Sequence, residues 1–212
     1  MGRGGSPRAA IGVAIALMGI AALENTVAPW APFYFVYAAL TVALPFALGA
    51  VTVGRIPIPR LRFWIAAVVI AVLGQLVFRA LVAAADLPGM FAPVFATAGA
   101  RLNRSPGAVA QAYLLFIIVW AALGEELFYR GYLQARLRRH FGATAAITVA
   151  AVLFAVRHYV QVLLAWPHIF WGSATIWVGG AFMVGLALGW LYERSGSLLP
   201  PIAAHYLFNL LG

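Results

Sequence analysis

Seven times along this 212-residue chain the sequence supplies a run of apolar residues long enough to consider as a membrane helix, and that recurrence limits the fold more than any motif does. A helix crossing a bilayer needs about 20 mostly apolar residues. Runs of that length stand at 9–28, 33–53, 63–85 and 107–128, with shorter or more interrupted ones at 143–159, 174–192 and 198–211. Of all residues 65% are apolar and 9% charged, against roughly 45–50% and about 25% in soluble domains. Lipid is therefore the main solvent. The expected fold is all-α, a polytopic transmembrane bundle of about seven helices (roughly six to eight), because only helices and closed barrels satisfy their backbone in hydrocarbon. The first run resembles a signal peptide in isolation, but more spans follow, so it reads as a retained helix.

Breakers set the connections. Pro29 and Pro32 separate the first two runs, and Pro57 and Pro59 stand among Arg55, Arg60 and Arg62 in the next connection. Pro45 predicts a kink in the second run. Residues 86–106 read as a long loop or re-entrant piece, ending in Ser105 and Pro106 as N-cap and first residue of a helix. Neither a second domain nor a repeat is visible. The expectation is one integral membrane domain over 1–212, with N-terminal spans in 1–105 and a catalytic core in 106–212.

All fourteen basic residues are Arg, for a formal charge of +9. In a soluble protein that charge suggests nucleic acid; flanking apolar runs, it suggests topology, and no nucleic-acid partner is expected. With the N-terminus in the cytoplasm, Arg3, Arg8, Arg55, Arg60, Arg62, Arg136, Arg138, Arg139 and Arg194 all fall on that side, leaving Arg101 and Arg104 in the long loop. The all-Arg, Ala-rich composition is that of a high-GC microbe, so the cell membrane of a prokaryote is the expected location. Ala181, Gly185 and Gly189 form a small-residue stripe at four-residue spacing, suited to close helix packing.

Only five residues are acidic, and two of them, Glu125 and Glu126, end the apolar stretch that starts at Ala108. A charge at the centre of a membrane helix costs about 2.5–3.5 kcal/mol on insertion scales, so such residues pair, face water or work. The Arg136, Arg138 and Arg139 cluster is the interfacial anchor, which places Glu126 about 15 Å inside it at a helical rise of 1.5 Å. The next helix returns antiparallel after His140, Phe141 and Gly142, bringing Arg157 and His158 to a matching depth. His205 and Asn209, four residues apart, share one face of the last helix. Glu126 and Arg130, at i and i+4, are spaced for an ion pair, leaving Glu125, about 100° away, to face a cavity. Arg157 reads as snorkelling to the outer interface, and Glu24 as an unremarkable span end.

No cysteine and no lysine is present, which removes thiol and amine nucleophiles. Hydrolysis of an amide then needs an activated water and donors for the oxyanion. In this set Glu125 is the general base, His158 helps to hold and polarise the water or handles the proton, His205 and Asn209 donate to the oxyanion, and Glu126 with Arg130 support them. Phe154, one turn from His158, shapes the site. No cofactor and no metal is expected.

The run from Glu125 to Arg130, then Phe154 to His158, then His205 to Asn209, resembles the three signature motifs of the type II CAAX prenyl protease and bacteriocin-processing (CPBP, or Abi) family in order, spacing and context. The stretch at 193–201 before the third motif adds to it, and the likeness covers about residues 105–211. It implies a metal-independent glutamic endopeptidase of the membrane, with Glu125 in the position of the catalytic glutamate and His158, His205 and Asn209 in those of its partners. The implied substrate is a membrane-associated peptide or protein tail, prenylated or not, reached from membrane lipid; the residues do not define an oligomer. Two other readings fit the same residues: a zinc-dependent version of the same hydrolysis, since two His and a Glu can hold Zn²⁺, and a non-proteolytic membrane binding, immunity or transport protein. A structural ion-pair network, or polar glue between helices, is the plainest account of the individual residues.

Overall fold

The computed structural model describes residues 6–27, 35–52, 56–84, 107, 122–165 and 171–211. Every regular element among them is helical: α1 (Pro7–Val27), α2 (Phe35–Ala47), α3 (Leu61–Ala84), a rod made of α4 (Ala122–Glu126), a π-helix (Leu127–Gln134) and α5 (Ala135–Arg138), then α6 (Ala143–Ala165), α7 (Trp171–Ser195) and α8 (Leu199–Leu211). Among the described residues four segments are long and apolar enough to cross a membrane, namely Pro7–Glu24, Leu61–Ala83, Ala143–Val160 and Ala174–Ser195. The protein is an all-helical integral membrane bundle. The expected loop at 86–106, the helix start at Ser105 and Pro106, residues 108–121 of the fourth run and the Pro29 and Pro32 connection lie outside the described residues.

The second span is shorter than expected, and the turn at Gly49 accounts for its end. The helix runs through Pro45, where a kink is expected, and ends two residues later at Ala47. The carbonyl of Pro45 accepts from the N–H groups of Ala50 at 2.8 Å and Val51 at 3.0 Å, and Gly49 takes φ 62°, the left-handed turn that ends helices. At its other end α2 is capped from α1. The carboxylate of Glu24 accepts from the backbone N–H of Val36 at 2.7 Å and Tyr37 at 3.0 Å, satisfying donors that a helix start leaves unpaired. Glu24 is thus a capping residue rather than an inert span end.

One end of the bundle gathers the described arginines of the expected cytoplasmic side. Arg138 pairs with Glu193 at 2.7 Å, Arg136 donates to the Leu48 carbonyl at 3.3 Å, and Ser197 Oγ donates to the Pro57 carbonyl at 2.7 Å. These contacts bring the end of α2, the start of α3, the α5–α6 turn and the α7–α8 turn to one level. Arg8, Arg60, Arg62, Arg139 and Arg194 are exposed there.

Burial separates the rod from the periphery. On α3 the residues Ile65, Val68, Val69, Val72, Leu73, Leu76 and Val77 are exposed, while Ala67, Ala71 and Gln75 are buried. In a bilayer those exposed side chains meet lipid tails, and the small stripe lets α3 approach α7 and α8 closely. Along the rod, by contrast, all eight residues from Leu127 to Gln134 are buried, with α1, α2, α6 and α7 packed around them and α8 against the preceding α4.

Close approach there depends on glycine. A Cβ on Gly124 would lie 2.5 Å from Thr41 Oγ1, and one on Gly131 would lie 2.7 Å from Val51. On α7, a Cβ on Gly185 would meet Ala151 of α6 at 3.1 Å. The stripe of Ala181, Gly185 and Gly189 therefore packs helices, as its spacing predicts, and it also exposes carbonyls that the rod uses.

Candidate active site

The wide turn of the π-helix sets the direction of the first polar group. Ala135 N–H reaches back five residues to the Arg130 carbonyl instead of four. π-Turns are rare and concentrate at functional sites. Here the turn aims Arg130 and Gln134 at the same neighbour: Arg130 Nη2 donates to the Gly185 carbonyl at 3.0 Å and Gln134 Nε2 to the Gly189 carbonyl at 3.0 Å. The two acceptors are four residues apart on α7, matching the four-residue separation of the donors. A helical carbonyl accepts a second bond readily, because it has two lone pairs.

Arg130 is then committed. Its Nη1 pairs with Glu126 Oε1 at 2.9 Å, both side chains being almost wholly buried, as the i, i+4 spacing predicts. His205 of α8 joins the same oxygen, its Nδ1–H donating to Glu126 Oε1 at 2.8 Å. Glu126 therefore ties α8 to the rod. Across that arrangement lies the ring of Phe154, with its centroid 4.5 Å from His158, 6.0 Å from His205 and 5.1 Å from Tyr129, and with the Arg130 guanidinium 5.1 Å above it. Phe154 is the apolar partition against which both imidazoles rest.

Glu125 points elsewhere and meets different partners. Its Oε1 lies 3.0 Å from Arg157 Nη1, and its Oε2 lies 3.8 Å from His205 Nε2, too long for a direct hydrogen bond. Arg157 Nη1 is also 3.2 Å from His158 Nε2, and His158 Nδ1 is 2.8 Å from the Phe154 carbonyl. A guanidinium only donates and a carbonyl only accepts, so Nε2 is the acceptor and Nδ1 carries the hydrogen. The Arg157 guanidinium stacks over the ring of Tyr37 on α2 at 4.6 Å.

Arg157 corrects the sequence reading. It is buried at 7% exposure and bound to Glu125, not extended to an interface, because a buried carboxylate at the same depth is a better partner than distant headgroups. Glu125, expected to be left free, is accordingly ion-paired. The signal was present in the sequence: an Arg in the middle of a 23-residue apolar helix needs a counter-charge. Tyr37 and Gln134 carried no such signal, being one aromatic among many and one amide near a basic cluster.

The structure thus gathers Glu125, Glu126, Arg130, Phe154, Arg157, His158 and His205 into one cluster. Asn209 stands one turn beyond His205 on the same helix, half-buried, and among the described residues it makes no hydrogen bond to that cluster. The end of α8 that carries Asn209 is fastened by α3: Gln75 Nε2 donates to the Phe208 carbonyl at 2.7 Å, and Arg79 donates to the Leu211 carbonyl. Among the described residues no group of three or more His, Cys, Asp and Glu is arranged to hold a metal ion. A carboxylate held at one oxygen, beside an imidazole held at one nitrogen, can take a proton from one molecule while the imidazole faces the same centre.

Comparison with known proteins identifies this half of the chain. The family model described as type II CAAX prenyl endopeptidase Rce1-like matches residues 107–211. No curated protein and no solved structure matches the chain.

Proposed function

The chain belongs, through residues 107–211, to the type II CAAX prenyl endopeptidase Rce1-like family, and from that premise we propose that it is an intramembrane endopeptidase using water activated by Glu125. Its substrate in this reading is a peptide bond in the tail of a membrane-associated peptide or protein, prenylated or not. Catalysis rests with 106–212, while 1–105 supplies spans and packing, all within one membrane domain. The gathered arginines at one end support a cytoplasmic N-terminus, in the cell membrane of a prokaryote.

The observation that carries this reading is the unequal treatment of two adjacent buried carboxylates. Glu126 takes Arg130 and His205 both on Oε1, and its Oε2 is enclosed with no partner among the described residues, whereas Glu125 has Oε1 on Arg157 and Oε2 turned toward His205 Nε2 at 3.8 Å. A water touching both Glu125 Oε2 and His205 Nε2 would lie against an oriented base. As the water oxygen bonds to the scissile carbonyl carbon, Glu125 takes its proton. With His205 doubly protonated, its Nε2–H and the Asn209 amide then donate to the oxyanion, while Nδ1–H stays on Glu126, whose carboxylate balances the ring charge. Collapse breaks the C–N bond, and the proton on Glu125 passes to the leaving amine, yielding a carboxylic acid and an amine. A positioned general base contributes typically 10²–10⁴-fold, and an oxyanion donor about 10²–10³-fold.

The test is cleavage of farnesylated and unlipidated C-terminal peptides by purified protein in detergent, comparing wild type with Glu125→Gln, His205→Ala and Asn209→Ala, with and without chelator. The expected result is cleavage that chelator does not change, loss of about 10³-fold with Glu125→Gln, and about 10²-fold with His205→Ala. Activity that vanishes with chelator would move the reaction to a metal. No cleavage of any peptide would move the site to binding or transport.

A further inference from the structure

We propose that Arg157 is a positioning residue for this reaction and that α2, outside the family-matched segment, contributes to the site by holding Arg157 in place through Tyr37. The proposal rests on the endopeptidase reading and adds to it a residue on which Glu125 and His158 both depend. The first observation is that one nitrogen serves two partners: Arg157 Nη1 lies 3.0 Å from Glu125 Oε1 and 3.2 Å from His158 Nε2. A carboxylate engaged at Oε1 can turn only its other oxygen to the reacting centre, and Oε2 is the atom that faces His205. Rotation of the Glu125 carboxyl is thereby restricted to the orientation the mechanism needs.

The same contact fixes His158. Because Arg157 can only donate, it selects the ring form with a lone pair on Nε2 and hydrogen on Nδ1, which the Phe154 carbonyl accepts at 2.8 Å. His158 is held at both nitrogens and does not swing. Its influence on Glu125 passes through the guanidinium rather than through direct contact.

The second observation is that the guanidinium plane is itself held. Its carbon lies 4.6 Å above the ring of Tyr37, a side chain only 3% exposed. A cation over an aromatic face is attracted by the ring quadrupole, and Arg stacks in a way Lys does not. Tyr37 stands in the first turn of α2, where Glu24 accepts its backbone N–H. An N-terminal helix thus reaches the centre of the cluster.

A charge-neutralising Arg would be replaceable by any cation, whereas a positioning Arg needs its fork and its plane. The experiment separates them with a farnesylated peptide cleaved by wild type. Arg157→Gln is expected to lower kcat by about 10²-fold with KM nearly unchanged. Arg157→Lys, which returns charge but not geometry, is expected to recover only part of it. Tyr37→Leu, which removes the ring face beneath the guanidinium, should lower kcat by about tenfold. Histidine NMR with heavy nitrogen gives a readout independent of turnover: hydrogen on Nδ1 of His158 in wild type, and a changed ring form in Arg157→Gln. Thermal unfolding identifies variants that fail to assemble, and Tyr37→Leu then carries the test. Wild-type kcat in Arg157→Gln, full recovery with Lys, or an unchanged His158 ring form would overturn the proposal. Glu125→Gln on the same peptide separates the two levels: if it stays active the endopeptidase reading fails, and if it is inactive while Arg157→Gln is not, only the role of Arg157 fails.

Discussion

Two buried ion pairs stand side by side in this molecule and are built in opposite ways. Glu126 and Arg130 lie one turn apart on a single rod, and the remaining bonds of both run to α7 and α8. Glu125 and Arg157 come from different rods, and Glu125 keeps an oxygen turned away from its partner. The first pair joins three helices through one carboxylate oxygen, Glu126 Oε1; the second turns its other oxygen, Glu125 Oε2, toward a histidine it does not bond directly. A third pair, Arg138 with Glu193, lies at the basic end with the arginine 49% exposed, and has neither role. Burial does not distinguish the two adjacent carboxylates; what each oxygen meets does.

The largest expected effect breaks the open pair. Glu125→Gln keeps the shape of the side chain and an oxygen that accepts from Arg157 but removes its basicity, so peptide cleavage should fall by about 10³-fold, with a smaller stability loss than Arg130→Ala, which removes a side-chain partner of Glu126 outright. A large stability loss with retained cleavage would reverse the roles assigned to the two carboxylates. Arg130→Ala should do the opposite, destabilising the bundle by about 3–5 kcal/mol because it strands a buried carboxylate. Unfolding curves in detergent measure this, and the loss should exceed that of any change at the basic end.

A smaller effect comes from the helix that receives Arg130. Gly185→Val would press its side chain against Ala151 and Phe154, within 3.1–3.4 Å at Cβ, and should cost about 1–3 kcal/mol through overpacking. It should also weaken the Arg130 bond to the Gly185 carbonyl, so a double variant with Arg130→Ala should lose less than the sum of its parts. Strict additivity would mean that the two contacts are independent. Smallest of all is Arg138→Ala, expected to change stability by about 0–1 kcal/mol, since a solvated pair gains little.

The glutamate pair, the i, i+4 partner and the two histidines were legible because apolar surroundings make every charge conspicuous. The end of α2 was not legible: a proline inside the run draws the eye, but the stop at Ala47 is made by the left-handed turn at Gly49 and by what the Pro45 carbonyl accepts from beyond it. Glu24 was misread for a similar reason, since the N–H groups it caps belong to the next helix.

By itself the sequence determined the class of solvent, the succession of helices, the local Glu126–Arg130 pair and the level at which polar side chains meet, because hydrophobic run length and helical periodicity are local quantities. Tertiary structure decided which oxygen of which glutamate is engaged, that Arg157 turns inward, and that Tyr37 and the carbonyls of Gly185 and Gly189 join the site. Those outcomes depend on the rotation of each helix about its axis and on the wide turn at Leu127–Gln134. A rotation is set by packing between helices, and no spacing along one chain segment encodes it.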